Sequence, residues 1–299
     1  MICFRKLCGL KSVVKTNRKK LCTVEAVKLA YASYESTNSP SDLDPAPLIV
    51  KHGLFGSKSN WNSLCKVYHN KTNRKVIAVD ARNHGDSPHT EQHTYEHLAS
   101  DLKELLKQLQ FKKAAFLGHS MGGRAVMYFA LKNPDFVEKL IVADISPVTT
   151  SPNLRTMPSL FNVLQSLSMP KNVPMSVARS LTDTQLKRFI ADKGLRNFLL
   201  TNLVQKLDGS YIWRINIPTL LAHFEDIARF PKTENLKYDG PVLFVGGGAS
   251  DFIQKSDHPR IVKMFPKAEF RYIEGAGHWL HSEKPSEFLK HTIEFLNKK

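Results

Sequence analysis

Short runs of apolar residues alternate along the chain with longer stretches whose apolar positions recur at helical spacing. Runs of this kind are typical of strands that are buried on both faces of a parallel sheet. They predict six strands, at residues 47–51, 76–80, 113–117, 140–144, 242–246 and 269–273. An earlier pair of strands is predicted between Glu25 and Glu35.

Between these runs the pattern predicts helices. One apolar helix face contains five leucines, at positions 98, 102, 105, 106 and 109. The stretch after residue 120 is apolar on more than one side and stops at Asn133-Pro134, as a buried helix would. Strands that alternate with helices predict an α/β domain with a mostly parallel central sheet flanked by helices.

The alternation fades in the middle of the chain, where prolines become more frequent, and it returns at Pro241. We interpret residues 147–237 as a helical lid insertion between two strands. The insertion interrupts the pattern without ending the domain, which we therefore place at residues 23–299. A segment in this position is expected to cover a pocket and to set its shape.

The composition is that of a globular protein, with 42% hydrophobic and 23% charged residues. The net charge of +16 raises the question of nucleic-acid binding. Seven basic residues fall within residues 1–20, where there is no acidic residue, and +16 minus these seven leaves +9 for the rest. No pattern of basic and stacking aromatic residues accompanies this charge. We therefore expect no nucleic-acid partner.

The basic N-terminal segment predicts a mitochondrial targeting leader at residues 1–22. Its basic side chains are interleaved with apolar ones and carboxylates are absent, which is typical of such leaders. A secretory signal is disfavoured because no apolar core of about 7–15 residues follows the charges. The prediction is a mitochondrial protein, in the matrix. The alternative is a cytoplasmic protein with a basic arm.

Cysteine usage agrees with a reducing compartment, since three of the four cysteines lie in the predicted leader and only Cys65 remains in the domain. No apolar run approaches the roughly 18 residues that cross a bilayer, so no transmembrane segment is expected. No cluster of cysteine and histidine has the spacing of a metal site, and we expect neither a metal nor a cofactor.

A serine between glycines carries the strongest chemical signal. Residues 118–122 read Gly-His-Ser-Met-Gly, the G-x-S-x-G nucleophile elbow, between a predicted strand and a predicted helix. The tight turn would present the Ser120 hydroxyl above the carboxyl edge of the sheet. Amides at the start of the helix point at the same place, so the Met121 N–H is predicted as one oxyanion donor.

The second oxyanion donor is predicted in the sequence His-Gly-Leu-Phe-Gly at residues 52–56, directly after a strand. We expect the Leu54 backbone N–H to supply it. For the His52 side chain we favour a structural role in support of the turn, because only the amide is needed for the chemistry.

The general base is predicted to be His278, which stands after the last strand and before the last helix. That is the third place in the order serine, acid, histidine. Two aspartates occupy the second place, Asp144 and Asp251, and each follows a strand. Either carboxylate could orient the imidazole, so the residues themselves leave this choice open.

Two further motifs look chemical but are interpreted as structural. The polar sequence at residues 80–87 follows a strand, and we expect it to hold neighbouring loops by hydrogen bonds. The glycines at 246–248 have neither the spacing nor the lysine of a phosphate-binding loop.

Five blocks of sequence, taken in order, resemble the family of alpha/beta hydrolase domain-containing protein 11 and its bacterial esterase relatives. These blocks are HGLFGSKSNW, VDARNHGDSPH, GHSMGGRAVM, ADISPV and GAGHWLH, and the resemblance covers residues 47–297. The G-x-S-x-G motif is shared by very many hydrolases, whereas the DARNHGDSPH and DISPV blocks are much narrower.

The resemblance implies an α/β-hydrolase fold and a metal-free ester hydrolase, with Ser120 as nucleophile and His278 as base. The bacterial relatives use the aspartate of the D-I-[SA]-P-V block, which implies Asp144 as the acid here and leaves Asp251 as the alternative. Animal members are described as mitochondrial and as acting on acylglycerols, including diacylglycerol.

The expected function is a serine hydrolase that cleaves carboxylic esters through an acyl-serine intermediate. We expect a lipid-like ester substrate, such as an acylglycerol, because the lid is rich in leucine, phenylalanine and methionine. Peripheral contact with a membrane through the lid is also expected. The alternatives are an acyltransferase on the same fold and a non-catalytic binding protein that has kept the pocket.

Overall fold

The computed structural model describes residues 24–36, 45–233 and 235–298. The predicted leader at residues 1–22 lies outside the described residues. The strands are β1 (Tyr31–Tyr34), β2 (Leu48–Lys51), β3 (Val76–Val79), β4 (Ala114–His119), β5 (Val137–Ala143), β6 (Leu203–Gln205), β7 (Tyr211–Trp213), β8 (Val242–Gly247) and β9 (Ala268–Ile273).

Helices connect the strands and cover the sheet. They are α1 (Asn62–Thr72), α2 (Tyr95–Gln108), α3 (Met121–Lys132), α4 (Met157–Ser166), α5 (Met175–Leu186), α6 (Lys193–Leu200), α7 (Ile217–Ala222), α8 (Phe224–Ala228), α9 (His258–Met264), α10 (Leu280–Glu283) and α11 (Pro285–Asn297). Among the described residues, no helix has the length and apolarity needed to cross a bilayer.

The main sheet has seven strands in the order β1-β3-β2-β4-β5-β8-β9, and only β1 pairs in antiparallel fashion. The prediction of a mostly parallel sheet flanked by helices is therefore confirmed. Each of the six predicted apolar runs forms one of its strands, with shifts of a few residues at the ends.

The predicted pair of strands between Glu25 and Glu35 is wrong, because this segment forms one strand, β1, at the edge of the sheet. The residues before it meet side chains instead of a neighbouring strand. The Val27 N–H donates to Asp101 Oδ1 at 2.8 Å, so its backbone donor is satisfied without a second strand.

Side chains alternate between the two faces of the sheet, and each face is buried under helices. Ile49, Phe116 and Phe244 belong to the core beneath α2 and α3, whereas Val50 and Leu117 belong to the core beneath α1 and α11. Burial on both faces explains why these strands appear in the sequence as continuous apolar runs and not as alternating ones.

The segment between β5 and β8 contains α4 to α8 and a small hairpin of β6 and β7. Sequence analysis predicted helices here but not the hairpin. Its strands have three residues each, which is too short for a periodic signal. The hairpin packs Leu203 and Tyr211 against Ala178 of α5 in a separate small core.

Candidate active site

Ser120 stands in the sharp turn between β4 and α3, with backbone angles φ 53° and ψ −121°. Positive φ is unfavourable for a residue with a side chain, so the surrounding packing must impose it. A Cβ atom on Gly122 would lie 2.4 Å from the carbonyl oxygens of Lys51 and His52. Only glycine at 122 allows β2 and α3 to approach this closely.

The two predicted oxyanion donors belong to residues close to Ser120. Met121 begins α3, and Leu54 follows Gly53, where an added Cβ would be 3.1 Å from Ser120 Cβ. Within the described part of the chain, neither the Leu54 N–H nor the Met121 N–H donates to a protein acceptor. Both amides are therefore available to an oxygen atom of a ligand.

Two buried histidines hold the turn that carries Leu54. His52 donates from Nδ1 to the Gly53 carbonyl at 2.7 Å and accepts at Nε2 from the Ala81 N–H at 3.0 Å. His84 accepts at Nε2 from the Phe55 N–H at 3.3 Å. Burial lowers the pKa of both imidazoles to about 3, so they are neutral at physiological pH and can accept these bonds.

His278 reaches both partners that the sequence assigns to it. Its Nε2 lies 3.0 Å from Ser120 Oγ, and its Nδ1 lies 2.7 Å from Asp144 Oδ2. With Nδ1 donating to the carboxylate, the lone pair of Nε2 faces the serine hydroxyl. This chain of bonds is the one that general-base activation of a serine requires.

Asp144 is fully buried and has two further donors. The Gly247 N–H donates to Oδ1 at 2.9 Å, and the Ser250 hydroxyl donates to Oδ2. Hydrogen bonds to a carboxylate stabilise its charged form and fix its orientation. Gly247 is the last residue of β8 and Ser250 lies in the loop that follows it, so the end of β8 and its loop position the carboxylate that follows β5.

Asp251, the alternative acid, is directed elsewhere. Its carboxylate accepts from the Ser151 hydroxyl at 2.7 Å and from Asn153 Nδ2 at 3.2 Å. These two residues lie at the start of the insertion. Asp251 therefore fastens the insertion to the loop after β8, and the structure brings Asp144 and not Asp251 to the His278 ring.

Sequence reasoning missed several residues that hold His278. The Phe252 ring stacks on the imidazole with 3.7 Å between ring centroids, and His119 Nε2 donates to the His278 carbonyl at 2.8 Å. Ser250 was missed as well, although it lies next to Asp251 in the sequence. Phe252 and Ser250 stand in no local motif, and His119 occupies an unspecified position of G-x-S-x-G, because all three meet His278 or Asp144 only through the fold.

The loop at residues 80–87 has the structural role that was predicted for it. Asp80 accepts from the backbone N–H groups of Lys58 and Asp86, at 2.7 and 2.9 Å. Asn83 accepts at its backbone carbonyl from the Asn216 N–H of the insertion at 2.9 Å. The loop thus connects the oxyanion turn, residues 52–56, with the insertion at Asn216.

A cavity of about 280 Å³ opens at Ser120. Its apolar wall comes from the oxyanion turn, the insertion and the loop after His278, and includes Leu54, Leu154, Met157, Leu160, Phe198 and Trp279. None of the aspartate, glutamate, lysine and arginine side chains that the structure describes lines it. The cavity is therefore suited to an uncharged, largely apolar group.

Comparison with known proteins agrees with this geometry. Residues 46–285 match the sequence profile of the α/β hydrolase fold. The chain belongs to the α/β-hydrolase family, defined by a nucleophile elbow on a mostly parallel sheet.

Within that family, the chain is 42% identical to the mouse protein named sn-1-specific diacylglycerol lipase ABHD11, over 91% of this chain and 92% of that one. It is 34% identical to esterase YbfF of Escherichia coli, over 84% and 93% of the two chains. The solved structure of a marine microorganism esterase superposes with a TM-score of 0.81 at 37% identity, covering 90% and 99%. The resemblance found in the sequence is thus confirmed.

Proposed function

We propose that the protein is a serine hydrolase that cleaves carboxylic esters of lipid type, in particular acylglycerols such as diacylglycerol. The chain of bonds from Ser120 Oγ through His278 to Asp144 carries the proposal. The name of the mouse lipase supports an acylglycerol substrate, and the names of the bacterial and marine esterases support a carboxylic ester.

In the proposed reaction, Ser120 Oγ attacks the ester carbonyl carbon while its proton passes to His278 Nε2. The Leu54 and Met121 amides stabilise the oxyanion that forms, and Asp144 stabilises the imidazolium. The C–O bond to the alcohol then breaks, and the leaving oxygen takes the proton from Nε2. Water activated by the same imidazole hydrolyses the acyl-serine, which restores the hydroxyl of Ser120 and releases the acid.

The uncharged wall of the cavity sets an expected preference among lipids. Because a charged group pays a desolvation penalty in an apolar cavity without a partner, we expect diacylglycerol to be hydrolysed at least about tenfold faster than a phosphatidylcholine with the same acyl chains. Release of fatty acid from matched mixed micelles measures this ratio. Equal rates on the two lipids would contradict an acylglycerol preference.

We further propose that the insertion, residues 147–237, is a lid that contacts an anionic membrane surface. Five of the eight large apolar side chains that are exposed among the described residues lie in it: Val177, Leu181, Phe189, Leu207 and Ile212. Residues 167–213 contain seven basic residues and three acidic ones. Exposed apolar side chains next to basic ones favour attachment to anionic lipid.

This surface predicts a specific loss of membrane binding. The double variant Leu181→Asp, Phe189→Asp is expected to bind anionic vesicles at least about fivefold more weakly, measured by co-sedimentation. The matched control is Val262→Asp, which changes an exposed apolar residue of α9 outside the insertion. An equal loss of vesicle binding in the double variant and in the control, or no loss in either variant, would contradict the proposal.

A mitochondrial matrix location is proposed from the composition of residues 1–22 alone. Fusion of these residues to a fluorescent reporter is expected to direct it into mitochondria, because an acid-free basic leader is drawn in by the import machinery. Replacing Arg5, Lys6 and Lys11 by glutamate should abolish import. A reporter that stays in the cytosol with the native leader would support the cytoplasmic alternative.

A further inference from the structure

Glu283 of α10 contacts the loop that carries His278, and the proposed reaction does not account for this contact. One carboxylate oxygen, Oε2, accepts from the Gly277 N–H at 2.6 Å, and the other, Oε1, accepts from the Trp279 N–H at 3.3 Å. The two amides belong to the residues directly before and after His278. One side chain therefore holds the backbone on both sides of the base.

The start of α10 explains only one of these two bonds. Glu283 stands in the first turn of this helix, where a carboxylate favourably accepts from an amide that the helix leaves without a partner, such as that of Trp279. The Gly277 N–H lies two residues further back and belongs to no helix, yet its bond is the shorter one. Stabilisation of the helix end would not need this second bond.

The carboxylate also fits closely against Gly277. A Cβ atom at position 277 would lie 3.2 Å from both carboxylate oxygens of Glu283, which is closer than most side chains allow. Glycine therefore gives the carboxylate room to approach the amide. Among the residues that the structure describes, no other protein atom accepts from the Gly277 N–H or from the Trp279 N–H.

Other elements hold the carbonyl groups of the same loop. The Ala249 N–H, after β8, donates to the Ala276 carbonyl at 2.9 Å, and His119, at the end of β4, donates to the His278 carbonyl at 2.8 Å. The amides on both sides of His278 are left to Glu283. Its contribution is thus separate from those of β4 and β8.

The position of this loop matters for the reaction because His278 must reach two partners at once. Its Nε2 lies 3.0 Å from Ser120 Oγ while its Nδ1 lies 2.7 Å from Asp144. A misplacement of about 1 Å can cost on the order of 100-fold in rate. Glycines at 275 and 277, the first with φ 69°, allow the backbone other conformations unless bonds hold it.

Trp279 has a second attachment that does not depend on the Glu283 side chain. Its carbonyl accepts from the backbone N–H groups of Ser282 and Glu283, at 2.7 and 2.9 Å. Trp279 also lines the cavity, whereas Glu283 does not. Loss of the carboxylate is therefore expected to release the backbone at Gly277 and His278 and to leave the cavity wall in place.

We propose that Glu283 is a positioning residue for the general base. By accepting from the amides on both sides of His278, its carboxylate fixes the imidazole between Ser120 and Asp144. The side chain acts only through the backbone of His278 and does not touch the ester. The proposal rests on the proposed ester hydrolase function, in which His278 is the base of both acylation and deacylation.

Steady-state kinetics on p-nitrophenyl butanoate test this role with two variants. In Glu283→Ala, kcat is expected to fall by about tenfold while KM stays within about twofold, because a displaced base slows both chemical steps and the cavity wall is unchanged. In Glu283→Gln, the amide oxygen can still accept from the Gly277 N–H. The kcat of this variant should therefore return to within about threefold of wild type.

The matched control is Glu287→Ala, which removes an exposed glutamate from the first turn of the next helix, α11, and should leave kcat unchanged. The rate of labelling by a fluorophosphonate is a second readout, since it needs the activated serine but no ester. It should fall in Glu283→Ala by about the same factor as kcat. Glu283 is exposed, so the variants should fold, and thermal unfolding establishes this.

An unchanged kcat in folded Glu283→Ala would overturn the proposal. A raised KM with unchanged kcat would do the same, because it would place the effect in the cavity. A Glu283→Gln variant no more active than Glu283→Ala would show that the accepting oxygen is not what matters. A failure of the proposed function is distinct, since wild-type protein would then neither hydrolyse the ester nor react with the fluorophosphonate, and the positioning role would fall with it.

Discussion

Replacement of Ser120 by alanine is expected to reduce kcat for a short p-nitrophenyl ester by about 10⁴-fold or more. The hydroxyl is the atom that forms the acyl intermediate, so its loss removes the reaction path and not merely one contact. The backbone strain at φ 53° is similar for serine and alanine, so the fold should survive. Stopped-time assays of p-nitrophenol release measure the activity, and circular dichroism measures the fold.

The matched control is Ser282→Ala, which removes an exposed hydroxyl close to the base along the chain. It should keep activity within about twofold of wild type, since surface substitutions of this kind have small effects. Activity of more than a few per cent in purified Ser120→Ala would contradict the assignment of the nucleophile.

Replacement of Asp144 by asparagine is expected to lower kcat by about 10⁴-fold. An asparagine amide that donates to His278 Nδ1 forces the proton of the neutral ring onto Nε2, where it can no longer accept from Ser120. The loss should come from kcat, because the cavity wall is unchanged. Steady-state kinetics on one soluble ester separate kcat from KM.

Asp251→Asn is the matched variant for the other aspartate. The asparagine oxygen can still accept from the Ser151 hydroxyl, so the start of the insertion should remain attached. We expect kcat to change by less than about fivefold and KM to rise modestly, since the cavity wall near Asn153 is loosened. A large loss of kcat in Asp251→Asn, together with an active Asp144→Asn, would show that Asp251 and not Asp144 is the acid.

The sequence alone could not show whether Asp144 or Asp251 is the acid that orients His278. Asp144 follows β5 and Asp251 comes four residues after β8, and these strands are neighbours in the sheet. Both carboxylates therefore lie at the same edge of the sheet. Position along the chain does not show which of them contacts His278. The separation comes from the loop after β8, where Ser250 turns toward Asp144 while Asp251 turns toward the insertion.

The central sheet was predictable because strands buried on both faces leave continuous apolar runs, such as that of β2. The position of the Ser120 turn was predictable because glycine is required where β2 and α3 nearly touch. The hairpin of β6 and β7 was not predictable, since its strands are short and depend on contacts with α5. Side chains that act only through the fold, such as Phe252 on His278, leave no sequence signal.

The most direct test of the account is the site of covalent labelling by a fluorophosphonate, read by intact-protein mass spectrometry and peptide mapping. We expect one adduct per chain, on the peptide that contains Ser120, in parallel with loss of esterase activity. Labelling should be absent in Ser120→Ala and much slower in Asp144→Asn, because the serine is then not activated. An active protein that is not labelled, or that is labelled and inactivated at another serine, would contradict it.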